Sequence, residues 1–254
     1  MSYPSPGSYQ IDVIDQVGRA YRVTLDHARL AVEMALLPYA IVLAAALIAL
    51  AAAHGGLFGW VLAAGLNALA LLVFGAVFLV RWHRFVLLGE TVGGGPMPPG
   101  WTAFLIALIK LGAAMVVVWL ALVLLAVLPP HFVTAPLSII GGVALGFVAL
   151  RVSLVFPAAA IERPIEFRTA WDWLAGNFWR FFVCVLACYL PFAVVQLVIG
   201  AIGGLFPALF WILFEALRLA VSFAGAAVVA ALLSHVYREI AGSQAAPVAQ
   251  ALPG

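Results

Sequence analysis

The residues of this chain best placed to do chemistry are Glu215 and Arg218, three apart in the apolar stretch Trp211-Ile212-Leu213-Phe214-Glu215-Ala216-Leu217-Arg218. An ionisable side chain inside a hydrophobic span is costly and marks a candidate site by default. At this spacing on a helix, a carboxylate and a guanidinium share one face and can neutralise each other. Asn67 and Gln196 fall at comparable depth in apolar stretches of their own. A layer of Glu215, Arg218, Asn67 and Gln196 has two uses open to it. It can pin helices together by interhelical hydrogen bonds, or it can line a small cavity on a proton or anion path.

Other chemistry lacks its pattern. The five histidines sit at the ends of apolar stretches, His54 and His131 at one set of ends and His27, His83 and His235 at the other. They form no HExxH or other metal-ligand spacing and no haem-ligating pair. Walker, nucleophile-elbow and paired-carboxylate patterns are missing as well. Cys184 and Cys188 lie at i, i+4 within an apolar helix and read as small core residues. The expectation is therefore a protein without metal, cofactor or catalytic activity.

The elements that position these residues are spans. With 67% hydrophobic and 9% charged residues among 254, the chain is too apolar for a soluble domain. Apolar runs of about 20 residues, enough to cross ~30 Å of hydrocarbon, fall near 35–53, 57–80, 104–128, 133–150, 181–202 and 205–233. Short uncharged turns follow the first, third and fifth: Ala53-His54-Gly55-Gly56, Pro129-Pro130-His131 and Gly203-Gly204. The connections 81–101 and 151–180 are long and charged. Of the twelve Lys and Arg residues, all but Lys110 and Arg218 fall beside these connections or the termini. The positive-inside rule then predicts an all-α, multi-pass protein of the bacterial cytoplasmic membrane, with six transmembrane helices in three hairpins and both termini cytoplasmic. A net charge of +2 without a basic stripe excludes nucleic acid as a partner. The first ten residues, MSYPSPGSYQ, lack the pattern of a cleaved signal, so the first span is expected to stay in the mature chain.

Each hairpin is preceded by an amphipathic or interfacial lead-in segment. From Gln10 to Leu30, Ile11, Ile14, Val17 or Gly18, Tyr21 and Leu25 recur at helical steps, with Asp12, Asp15, Arg19, Arg22 and Asp26 between them. From Ile165 to Phe182, Trp171, Trp173, Trp179 and Arg180 give the composition of a helix lying at a membrane surface. Tyr21, Arg22 and these four residues are the candidates for docking lipid headgroups or a partner protein. The single membrane domain divides into possible hairpin repeats, 10–90, 91–163 and 164–241, followed by a flexible tail, 242–254. Leu37-Pro38-Tyr39-Ala40-Ile41-Val42 matches Leu190-Pro191-Phe192-Ala193-Val194-Val195 nearly position for position, so spans one and five should bend at similar depth. In this pattern Lys110 ends a lead-in segment and snorkels to the headgroups. The GxxxG pair Gly142 and Gly146, and Ser222, Ala226 and Ala230, suit close helix crossings within the bundle or with another subunit.

Leu150-Arg151-Val152-Ser153-Leu154-Val155-Phe156-Pro157-Ala158-Ala159-Ala160-Ile161-Glu162, then Ala170-Trp171, Gly176-Asn177-Phe178-Trp179-Arg180 and the closing His235-Val236-Tyr237-Arg238-Glu239-Ile240, resemble bacterial six-span proteins of the YciC type. These are similar to the membrane domain preceding the catalytic barrel of some glycerophosphodiester phosphodiesterases. The resemblance runs from about residue 10 to 241. It implies a six-helix membrane module without the barrel, and it carries over no catalytic residue.

Two functions compete on these grounds. The first is a non-catalytic accessory or scaffold subunit of a larger membrane complex, partnered by lipids and by other membrane subunits or copies of itself. The second is a lipid-handling or small-solute transport protein in which kinked spans one and five flank a cavity reaching Glu215 and Arg218.

Overall fold

A computed structural model describes residues 10–53, 56–91, 95–127, 131–206 and 210–250, the side chains of 50, 51, 53, 122–127, 131–138 and 244–250 excepted. Asp12 opens the first helix as its N-cap, accepting the Asp15 N–H at 3.1 Å, and α1 runs Val13–Asp26. At His27 the backbone leaves helical geometry (φ −116°, ψ 27°), and α2, Ala28–Ala53, starts one residue later. The chain continues as α3 (Gly56–Leu88), α4 (Trp101–Val127), α5 (His131–Val152), the short α6 (Val155–Ala160) and α7 (Phe167–Trp173), α8 (Phe178–Gly203) and α9 (Trp211–Gln250). Among the described residues there is no strand. Five helical stretches are long and apolar enough to cross a membrane: Ala28–Ala49, Gly56–Leu88, Trp101–Ala121, Phe178–Gly203 and Trp211–Ser243. In α5 the described apolar stretch is shorter, Ile139–Val152. The fold is thus all-helical and of multi-pass membrane character. The turn residues His54, Gly55, Pro129 and Pro130 lie outside the described set.

Consecutive long helices pair, α2 with α3, α4 with α5 and α8 with α9, while α9 also packs on α1, α2, α3 and α6. Half of the most apolar part of α9 is buried against 11% for that of α4, so α9 is the axis of the bundle. At 33 and 40 residues, α3 and α9 are about 50 and 60 Å long at 1.5 Å per residue. They overrun the predicted span ends at 80 and 233, and α9 continues through most of the segment expected to be a tail. The overrun has a packing cause. Trp82 and Val86 on α3, and Val236 and Ile240 on α9, are buried in one core with Ile11, Leu154 and Leu174. That core lies where α1, α6 and α7 meet the final turns of α3 and α9, together with most of the charges; we call this the charged end.

Three sequence expectations change here. The buried face of α1 is Gln16 and Ala20, continued by Ile11 just before the helix, while Ile14 and Leu25 are 86% and 69% exposed. Partners on α9 set this rotation, since the Gln16 amide and the Arg19 guanidinium both donate to Glu239, at 2.7 and 2.6 Å. The lead-in pattern is uneven too. The stretch 165–182 breaks at Gly176 (φ +82°) into α7 and the start of α8, and Trp101 begins α4 itself. Finally, a Cβ built on Gly142 or Gly146 meets nothing within 4 Å among the described residues, so that pair makes no close crossing within the described bundle.

Candidate functional site

The two proline helices bracket α9. Pro191 has no N–H, which strips the Ala187 carbonyl, four residues earlier, of its helical donor. The Tyr21 hydroxyl on α1 fills the gap, donating to the neighbouring Cys188 carbonyl at 3.0 Å and lying 3.4 Å from that of Ala187. Burial pushes the Tyr21 pKa above its usual value, aided by Cys188, so the hydroxyl stays a donor. Next to each proline is an aromatic ring. Tyr39 donates to the Ala216 carbonyl of α9 at 2.9 Å. Phe192 lies against Gly225, where a Cβ would come within 3.1 Å of the ring, and it stacks on Tyr21 at 6.4 Å.

Between these anchors opens a cleft of about 430 Å³, walled by α1, α2, α8 and α9, with Phe78 of α3 reaching in. That is within the size range of ligand pockets, about 300–1,000 Å³. Ala28, Ala35, Ala220, Ala224 and Ala227 leave the space, and Leu25, Val32, Leu36 and Phe223 surface it. Its polar side chains are committed elsewhere: both tyrosine hydroxyls to helix carbonyls, and Thr24 Oγ1 to the Ala20 carbonyl at 2.8 Å. The wall therefore offers hydrocarbon and no free hydrogen-bonding side chain. The proline-bearing helices were expected to flank a cavity reaching Glu215 and Arg218, and neither residue lines this cleft; Tyr21 was singled out only as a docking residue, and its role in completing α8 carried no sequence signal.

A second cleft of about 450 Å³ lies between α3, α4 and α9, lined by Leu71, Leu79, Leu108, Leu219, Ser222 and Ala226 among others. Three of the four predicted polar residues meet beside it. Gln196 Nε2 donates to the Arg218 carbonyl and to Ser222 Oγ, each at 2.7 Å, and Ser222 in turn donates to the Arg218 carbonyl at 2.9 Å. Arg218 Nε is 3.4 Å from Gln196 Oε1, and Nη1 is 3.8 Å from Glu215 Oε2. The Arg218 side chain remains 52% exposed and that of Glu215 27%. Asn67 is not joined to them among the described residues, and its Oδ1 is buried without a partner there.

The predicted docking residues disperse. The Arg151 guanidinium sits 4.5 Å over the Trp171 ring and 5.8 Å from Phe147 and Phe178. Trp173 packs on Tyr237 at 6.0 Å. Arg180 Nη1 donates to the Ile11 carbonyl at 3.3 Å. Trp179, 72% exposed, and Arg22 stay on the surface. Arg84 holds the charged end together in a way its type alone did not signal. It makes a two-pronged pair with Glu90 at 2.7 and 2.8 Å and donates to the Ala160 carbonyl at 3.0 Å. Gly100, at φ +79°, passes so close to that carbonyl that a Cβ would lie 2.3 Å from it.

Among the described residues no cluster of His, Cys, Asp or Glu could hold a metal ion. No family model, curated protein or solved structure matches the chain.

Proposed function

We propose that this is a non-catalytic six-span membrane protein that takes up a lipid acyl chain in the cleft between α2 and α8. One observation carries the proposal: a ligand-sized space within a membrane bundle whose wall presents only hydrocarbon, its tyrosine and threonine hydroxyls already spent on backbone carbonyls. A ligand needing hydrogen bonds would lose them there, whereas an acyl chain loses nothing. Pro38 and Pro191 each remove one helical hydrogen bond at matched positions of the two flanking helices. In this proposal α5 is the sixth span, the charged end faces the cytoplasm of a bacterial cell, both termini lie on that side, and the chain is a YciC-type module in three hairpins.

Native mass spectrometry of the full chain in mild detergent tests it. Ala224→Trp fills the cleft and should remove one bound phospholipid from the wild-type complement, with the gel-filtration profile unchanged. A folded variant with an unchanged lipid count rejects the proposal.

The accessory-subunit function keeps support from α5, where Gly142 and Gly146 present a flat face that no described residue approaches within 4 Å. Gly146→Leu should then release any co-purifying membrane subunit, and a chain that purifies alone in mild detergent argues against this role.

A further inference from the structure

Arg218 and Glu215 remain unexplained by an apolar cleft. A guanidinium has five N–H donors. Here it makes two long contacts, 3.4 Å to Gln196 and 3.8 Å to Glu215, with half of its side chain open. In hydrocarbon such a group calls for an acceptor. Its surroundings suggest which one. Phe206, Phe210 and Phe214 pack ring to ring at 5.5 and 5.7 Å at the start of α9, where Trp211 is the residue type enriched where a membrane meets water. Arg218 lies seven residues past Trp211, about 10 Å along the helix, so its side chain can reach headgroup depth by snorkelling. One turn deeper on the same ridge, Ser222 lines the cleft between α3, α4 and α9, whose wall is otherwise apolar. Charge above hydrocarbon is the layout of a phospholipid.

Glu215 narrows the class. A carboxylate one turn from the guanidinium repels a purely anionic headgroup and complements one that carries its own cation. The two-carbon link of a phosphoethanolamine spaces its charges by a few ångströms, the scale of one helical turn. We propose that Arg218 and Glu215 clamp the headgroup of a zwitterionic phospholipid bearing a primary ammonium, with phosphate on Arg218, ammonium on Glu215 and an acyl chain in the cleft between α3, α4 and α9. Gln196 is the positioning residue: by bonding the Arg218 carbonyl and Ser222 it fixes the ridge on which the guanidinium stands.

The clamp shares with the proposed function the premise that the bundle holds lipid, but it uses a different cleft, so the two can fail separately. The full chain is delipidated in detergent and titrated, by native mass spectrometry, with phosphatidylethanolamine, phosphatidylglycerol or phosphatidylcholine of identical acyl chains. The wild type should prefer phosphatidylethanolamine about tenfold over the other two, the worth of one charge-assisted hydrogen bond. Glu215→Gln should bring phosphatidylethanolamine and phosphatidylglycerol to parity, and Arg218→Gln should weaken all three. Should Arg218→Gln fail to fold, Glu215→Gln decides alone. Wild-type binding without headgroup preference, or a preference intact in Glu215→Gln, overturns the clamp and leaves the α2–α8 cleft standing. Preference present with no lipid lost in Ala224→Trp upholds the clamp and rejects the proposed function. A wild type that binds none of the three lipids overturns both.

Discussion

At the charged end of the bundle Trp82, Phe181, Leu174 and Leu232 are buried, whereas toward the opposite end Leu62, Val117 and Leu197, all within long apolar helices, are 57% or more exposed. The residue types are alike, so burial is decided by what surrounds each end. Near the charges the helices must exclude water, and they do so with a shared core reinforced by polar ties: Arg84 to Glu90 and Ala160, Arg19 to Asp15 and Glu239, and Arg238 to the Val86 carbonyl. At the far end hydrocarbon solvates an apolar side chain about as well as a neighbouring helix does, so little drives the hairpins together. Clefts open as the packed core gives way. An apolar residue therefore marks core at one end of this molecule and lipid-facing surface at the other.

The largest effect should come from the packed end. Trp82→Ala removes a ring that is 0% exposed and whose Nε1 donates to the Ala227 carbonyl at 2.8 Å, at a cost of about 4 kcal/mol. Unfolding followed by denaturing detergent should show it, and a loss below about 1 kcal/mol would erase the distinction between the ends. Tyr21→Phe probes the border between them. It leaves the carbonyls beside Pro191 without a side-chain donor, for a loss of about 1 kcal/mol and faster proteolysis at α1. A silent substitution would mean that α8 holds its bend unaided. The smallest effect belongs to the far end: Val117→Ala, at a residue 67% exposed, should change stability by less than about 0.5 kcal/mol. A cost near that of Trp82→Ala would mean that another protein surface covers α4.

Much of this architecture was legible because span length and Arg placement follow from the solvent alone. Apolar runs located the long helices, and the paired Leu-Pro-aromatic segments fall in two helices that wall a cleft, although that cleft does not reach Glu215 or Arg218 as expected. Of the four polar residues expected to form a layer, Glu215, Arg218 and Gln196 are in contact, whereas Asn67 is not joined to them among the described residues. Less legible was whatever depends on a distant partner. Gln16 is buried and Ile14 exposed because Glu239 waits on α9. The stretch Val155–Ala160 falls in the long charged connection after the fourth apolar run, yet it forms a short helix packed on α3, α4 and α9. Trp171 has the composition of a surface residue and is taken up by Arg151. Periodicity reports the face of an isolated helix, and these residues answer to contacts from 20 to 223 positions away.

The ties of α1 also bear on the order of synthesis. The Ile11 N–H donates to Asn177 Oδ1, 166 residues later, and Arg19 meets Glu239 after 220. At roughly 5–20 residues per second a ribosome needs roughly 10–45 s to make that interval. Throughout it, the first helix has emerged while the surface it docks on has not been made. An arrest before α9 would leave Gln16 and Arg19 without their acceptor and the membrane hairpins without their axis. The packed end can therefore close only once the last helix has been made, so the first helix of the chain is among the last to find its place.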